Sequence, residues 1–235
     1  MKTTPTFWLL ASGFLLAVTA HAQTTFSLGP RVGLNVSSGH FPGKVTYPTQ
    51  ASYTSRPGFE AGLTSTVQIG HFAVQPSLLF SQKGYRSSGY RLLIDMVTPY
   101  EEDVRLNYLT LPLNFAFTLG RGGQGLQVFA GPYASLLLGG NYTSKTGGFE
   151  ERTGKVKAAS LASDGDNRYA QRFDAGLQAG LGYRLKGFQV QASYSLGLRN
   201  SAVQYQYNGT VYANEPDQYN RAFQVSLSYL VSTKS

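Results

Sequence analysis

Hydrophobic and polar positions alternate residue by residue over long stretches of this chain, most cleanly between Arg172 and Asn200. There Phe173, Ala175, Leu177, Ala179, Leu181 and Tyr183 share one face, and Asp174, Gly176, Gln178, Gly180 and Gly182 share the other. After a four-residue turn, Arg184-Leu185-Lys186-Gly187, the residues Phe188, Val190, Ala192, Tyr194, Leu196 and Leu198 oppose Gln189, Gln191, Ser193, Ser195, Gly197 and Arg199. A period of two predicts a β-hairpin with one apolar face. Each arm is long enough to cross a bilayer at a tilt. A soluble sheet would dress its polar face with Lys, Glu and Asp. This one carries mainly Gly, Ser, Gln and Ala, the small side chains that fit the narrow lumen of a small barrel. The apolar face then meets lipid, which is inside-out relative to a lipocalin.

The same pattern predicts six more strands, at about 25–36, 57–69, 72–84, 104–118, 125–138 and 220–230. With the hairpin arms they make eight. The links between them alternate long and short. Polar stretches at about 37–56, 85–103, 139–169 and 200–219 are long, the last carrying Tyr205, Tyr207, Tyr212 and Tyr219. Gly70-His71, the run from Leu119 to Gly125 and the turn before Phe188 are short. Outer-membrane barrels have an even strand count, short periplasmic turns and long outer loops. The expected fold is therefore all-β: an eight-stranded antiparallel transmembrane β-barrel with both termini periplasmic. At the short-turn ends the apolar positions are Phe26, Phe72, Phe117, Tyr183, Phe188 and Tyr229, which read as a periplasmic aromatic girdle. Pro30, Pro76, Pro112 and Pro132 fall within strands. A closed barrel has no free edge for them, so bulges or weakened pairing are expected there.

Composition narrows the setting. Residues 1–22 hold Lys2, an apolar run from Phe7 to Val18 and the small-x-small end Ala20-His21-Ala22, as a secretory signal does; residues 23–235 form the barrel domain. The chain has no cysteine, so no disulfide staples it and thiol chemistry is excluded. Its net charge of +8 is dispersed, as in Glu150-Glu151-Arg152, and forms no nucleic-acid patch.

Little in the sequence points to catalysis. His40 lies in a long loop and His71 in a short turn, each without a neighbouring Ser–Asp arrangement. Asp164-Gly165-Asp166-Asn167 lacks the later glycine and closing glutamate of an EF-hand and reads as a polar turn. No cofactor or metal is expected. The polar face of the strands collects Arg31, Glu60, Lys83, Tyr108, Tyr133, Asp174, Gln178 and Arg199. In a narrow lumen such charges must pair or hydrogen-bond, so they are expected to form a plug. A polar pocket walled by Tyr108 and Tyr133 is the functional alternative.

The segments AVQPSLLFSQKGY, LNYLTLPLNFAF, VFAGPYASLLL, FDAGLQAGLGY, YSLGLRN and RAFQVSLSYL resemble the PorT-type outer-membrane β-barrel family of Bacteroidota over nearly the whole exported chain. Two departures stand out. Thr110 occupies a position where many members carry an acidic residue, and the chain continues past its last strand as Val231-Ser232-Thr233-Lys234-Ser235. The resemblance implies a bacterial outer-membrane location, with membrane lipid and other envelope or secretion proteins as partners. The expected function is a non-enzymatic structural or interaction role at the cell surface. The alternatives are an accessory subunit of a protein-secretion system, a small-ligand-binding barrel and a rim-located hydrolase. Transport is disfavoured, because eight strands leave room for side chains rather than for a channel.

Overall fold

The computed structural model describes residues 24–42, 51–93, 96–147, 149–162, 167–207, 210–212 and 217–233. The expected signal segment and the residues Asp164-Gly165-Asp166 lie outside them. In chain order the strands are β1 (Thr24–His40), β2 (Ala51–Ile69), β3 (Phe72–Leu93), β4 (Met96–Thr118), β5 (Gly125–Thr146), β6 (Arg152–Ala158) and β7 (Leu161–Ala162). They continue as β8 (Arg168–Ala170), β9 (Phe173–Leu185), β10 (Phe188–Gly197), β11 (Gln204–Tyr207), β12 (Thr210–Tyr212), β13 (Tyr219–Tyr229) and β14 (Val231–Thr233). Eight of them close a ring. Each pairs antiparallel with the next in the order β1, β2, β3, β4, β5, β9, β10, β13, and β13 returns to β1. Closure leaves the ring without an unpaired edge.

The predicted faces hold. Leu34, Leu63, Leu111, Val128, Leu177, Val190 and Leu227 are exposed on the outside, while Asn35, Thr64, Thr110, Gln127, Gln178, Gln191 and Ser226 are buried inside. Leu79 and Phe129 also point inward, which alternation alone did not single out. Glycine makes the room. Phe129 is paired with Gly180 and Tyr133 with Gly176. A Cβ at Gly180 would sit 2.7 Å from the Phe129 ring, and one at Gly176 2.8 Å from the Tyr133 ring. Large rings on one strand thus lie over bare backbone on the next.

Several expectations need correction. The stretch 85–103 is not a loop: β3 and β4 run on as one hairpin, paired from Phe72↔Phe117 to Leu93↔Met96. Likewise 139–169 is partly strand, because β5 continues to Thr146 and pairs with β6, which pairs in parallel with β8. The turn after β9 is two residues rather than four. Lys186 (φ 47°) and Gly187 (φ 90°) both take positive φ, as a tight hairpin turn requires. Pro76, Pro112 and Pro132 interrupt hydrogen-bonded pairing beside them but leave the register unshifted. The register shifts lie elsewhere, between Ser55 and Glu60 in β2 and between Asn107 and Tyr108 in the β4–β5 pairing. Past the last ring strand, Val231–Thr233 pairs with Phe26–Leu28 of β1.

Strand length divides the molecule. β10 and β13 have 10 and 11 residues, enough to cross a membrane. β3 and β4 have 22 and 23, and the surplus carries them on the order of 30 Å past the ring.

Candidate functional site

Within the ring the lumen is filled. Arg31 donates to Glu60 Oε1 from Nε at 3.2 Å and from Nη2 at 3.0 Å, and to Gln191 Oε1 from Nη1 at 3.1 Å. Gln191 donates in turn to Gln75 at 3.0 Å, Gln75 to Gln127 at 3.5 Å, and Gln127 to Thr118 at 3.1 Å. This chain of amides crosses the lumen from β1 to β4. Gln178 donates to Asn114 at 2.7 Å, and Thr110 Oγ1 lies 3.0 Å from Ser135 Oγ. Asp174 accepts from Tyr133 at 3.3 Å and Asn220 at 3.0 Å. The buried Lys83 ammonium rests over the Tyr133 and Tyr108 rings, 4.8 and 5.6 Å from their centroids.

Seven of the eight residues expected inside are therefore there and buried: Arg31, Glu60, Lys83, Tyr108, Tyr133, Asp174 and Gln178. Arg199 is not. The backbone amides of Leu198 and Arg199 both donate to the Ala175 carbonyl, which breaks the alternation past Gly197. Arg199 is exposed, with its guanidinium 5.9 Å from the Phe173 ring. The six aromatics Phe26, Phe72, Phe117, Tyr183, Phe188 and Tyr229 all face outward at the short-turn end. Phe72 meets Phe117 edge-on at 5.1 Å, and Phe188 lies 4.8 Å from Tyr229. His71 serves its turn, with Nδ1 2.8 Å from the Thr118 carbonyl oxygen, and His40 lies opposite Tyr219 in the β1–β13 ladder.

At the other end the inward face changes character. Val104, Leu106, Tyr108, Leu137, Val156 and Ala170 pack into an apolar layer over the polar lumen. Above it opens a vestibule of about 240 Å³. Phe41 stacks on Tyr53 at 3.8 Å and meets Tyr85 edge-on at 5.5 Å, forming one wall. Arg91 lies 4.3 Å from the centroid of Tyr100. Arg168 grips Glu102 with two bonds, Nε to Oε1 at 2.9 Å and Nη2 to Oε2 at 3.0 Å. A wider cleft of about 640 Å³ is lined by charged residues, among them Arg86, Glu101, Asp103, Arg105 and Lys145. Lys145 pairs with Glu151 at 2.9 Å. Asp103 lies between Arg56 (2.5 Å) and Arg86 (2.9 Å). Partial burial would raise its pKa, but hydrogen bonds from the two guanidiniums outweigh that and hold the carboxyl below its ordinary value.

Sequence reasoning missed the vestibule. Most of its residues sit in stretches assigned to loops, although the signal was present. Tyr85, Ser87, Gly89 and Arg91 on β3, with Tyr100, Glu102 and Val104 on β4, continue the alternation of the strands below them. Too few are apolar to mark a face without a pairing partner.

The profile of the outer membrane protein beta-barrel domain family matches residues 21–203. No curated protein matches the sequence. Among solved structures, Ail, the attachment invasion locus protein of Yersinia pestis, superposes with TM-score 0.42 and 11% identity over 88% of this chain and 99% of that one. Neisserial surface protein A gives 0.42 and 11% over 86% and 96%, and OprG of Pseudomonas aeruginosa 0.41 and 11% over 93% and 100%. Likenesses this distant carry no argument; the family match does.

Proposed function

The chain belongs to the outer membrane protein beta-barrel domain family, and on that premise we propose that it is a non-enzymatic integral outer-membrane protein that meets partners at the cell surface through its extended strands. Within the family we place it beside the PorT-type barrels of Bacteroidota, on the strand segments it shares with them. One observation carries the reading. β4 turns Leu111, Leu113, Phe115 and Phe117 outward in its lower half, but Pro99, Glu101 and Arg105 outward in its upper half. An exterior that changes from apolar to charged along one strand suits a barrel that stands in lipid and projects into water. The aromatic residues at the short-turn end would sit at the periplasmic interface, with both termini on that side. The bonded lumen serves as a structural plug rather than a passage.

Two experiments test this. Liposomes holding the purified protein should leak small solutes no faster than empty ones; a sustained solute flux would refute the plug. Because the chain lacks cysteine, single labels are unambiguous. Ser88→Cys on the projecting hairpin should react with a membrane-impermeant maleimide on intact cells, and Lys186→Cys in the short turn only after the membrane is opened. The reverse labelling would overturn the orientation.

A further inference from the structure

We propose that the vestibule binds a carboxylate carried on a small apolar or aromatic body. The inference is independent of which end of the barrel faces outward. It begins with charge. Both oxygens of Glu102 are engaged by the Arg168 fork, which leaves that pair neutral toward a ligand. Arg91, the other cation on the wall, makes no ion pair among the described residues. Arg91 is half-buried, and its guanidinium carbon lies over the Tyr100 ring, 4.3 Å from the centroid. A guanidinium held over a ring and without an ion-pair partner keeps N–H groups for a planar, two-oxygen acceptor.

The remaining surface selects the body attached to that acceptor. Val104, Leu106 and Val156 form the floor and offer side-chain hydroxyls or amides no partner. A ring fits that floor and the Phe41, Tyr53 and Tyr85 wall beside it, while Ser87, Glu102, Arg168 and Gln218 line the polar remainder of the space. The aromatic wall is already packed on itself, so little ordering is left for binding to oppose. At about 240 Å³ the space falls below the range of about 300–1,000 Å³ that suits drug-sized ligands. It holds one ring and its acid group, not a long acyl tail or an oligosaccharide. Such a group could come from a free organic acid or from the last residue of a polypeptide.

Titration calorimetry on the full exported chain in a non-ionic detergent separates these sources and tests the site. The ligands are phenylacetate, N-acetylphenylalanine and N-acetylphenylalaninamide, the last keeping the ring without the charge. At least one acid should bind saturably. The amide should bind at least about tenfold more weakly, the difference expected for a charge-assisted hydrogen bond. Arg91→Gln should weaken the acid at least about tenfold and leave the amide unchanged, and Arg91→Lys, which keeps the charge but not the fork, should fall between. Heat-modifiable gel migration checks that each variant is a closed barrel. Binding of phenylacetate alone assigns a free acid, and binding of N-acetylphenylalanine alone a chain end. If neither acid binds, if the amide binds as well as the acids, or if folded Arg91→Gln binds them normally, the proposal is wrong. The acid–amide comparison on the unaltered protein stands even if a variant fails to fold.

Discussion

Below Tyr108, β4 turns leucine and phenylalanine outward and threonine and asparagine inward; above it, the strand turns arginine and acids outward and tyrosine and valine inward. The period of two runs through both halves, and only the sign of the amphipathicity changes. The lower half buries polar groups, and the charged and long amide side chains bond one another inside the lumen, as Arg31, Gln191 and Gln75 do. The upper half carries charged groups on its outside and buries apolar groups in the ordinary way. The barrel is therefore inside-out at one level and right-side-out at the next, and the apolar layer around Leu106 and Leu137 joins the two regimes.

The contrast can be broken most severely inside the lumen. Glu60→Ala leaves the Arg31 guanidinium buried without its counter-charge and should lower unfolding stability by about 3–5 kcal/mol, read by denaturant titration in lipid. Replacing both partners, Arg31→Met with Glu60→Leu, should recover most of that loss. A double variant no more stable than Glu60→Ala would mean that the lumen needs the ions themselves. Next comes the outer surface. Leu177 is 52% exposed on the ring's exterior, and Leu177→Arg should cost about 2–4 kcal/mol if that surface meets the bilayer near its midplane. The matching change on the projecting wall, Asn141→Arg, should stay within about 0.5 kcal/mol. Equal costs at the two positions would erase the boundary drawn here.

A modest effect belongs to the projecting ion triad. The Asp103 carboxyl is held below its ordinary value, so it contributes stability that is complete above the unfolded-chain value near pH 4 and is lost as pH falls through the folded-state value. Asp103 is only partly buried, and solvent and salt screen the pair, so the acid-side loss should not exceed about 1 kcal/mol. Asp103→Asn should flatten that acid limb and leave neutral-pH behaviour nearly unchanged. An unaltered acid limb in the variant would assign the pH dependence to other carboxylates.

Much of the lower half was legible in the chain. Alternation identified the eight ring strands, their inner and outer faces and seven of the eight lumen residues, because side-chain direction along a strand is a local property. Two features there were not legible. The placement of Phe129 inside depends on Gly180 lying opposite, which is a matter of register between strands distant in sequence. Arg199 left the lumen because its amide shares the Ala175 carbonyl with that of Leu198, a detail of pairing that no single strand contains.

Of the upper half almost nothing was readable beforehand. The stretches 85–103 and 139–146 are polar, and polar alternation without an apolar face looks like a loop until a partner strand supplies the hydrogen bonds. By itself, then, the sequence determined the strands, their facing and the solvent outside the ring, since these follow from the two-residue period and from where apolar side chains go. The tertiary structure alone decided how far β2 to β5 project and which residues meet in the vestibule. Arg91, Tyr100, Glu102 and Arg168 become neighbours only through the pairing of β3 with β4, β4 with β5, β5 with β6 and β6 with β8, contacts set by a closed sheet rather than by any local run of residues.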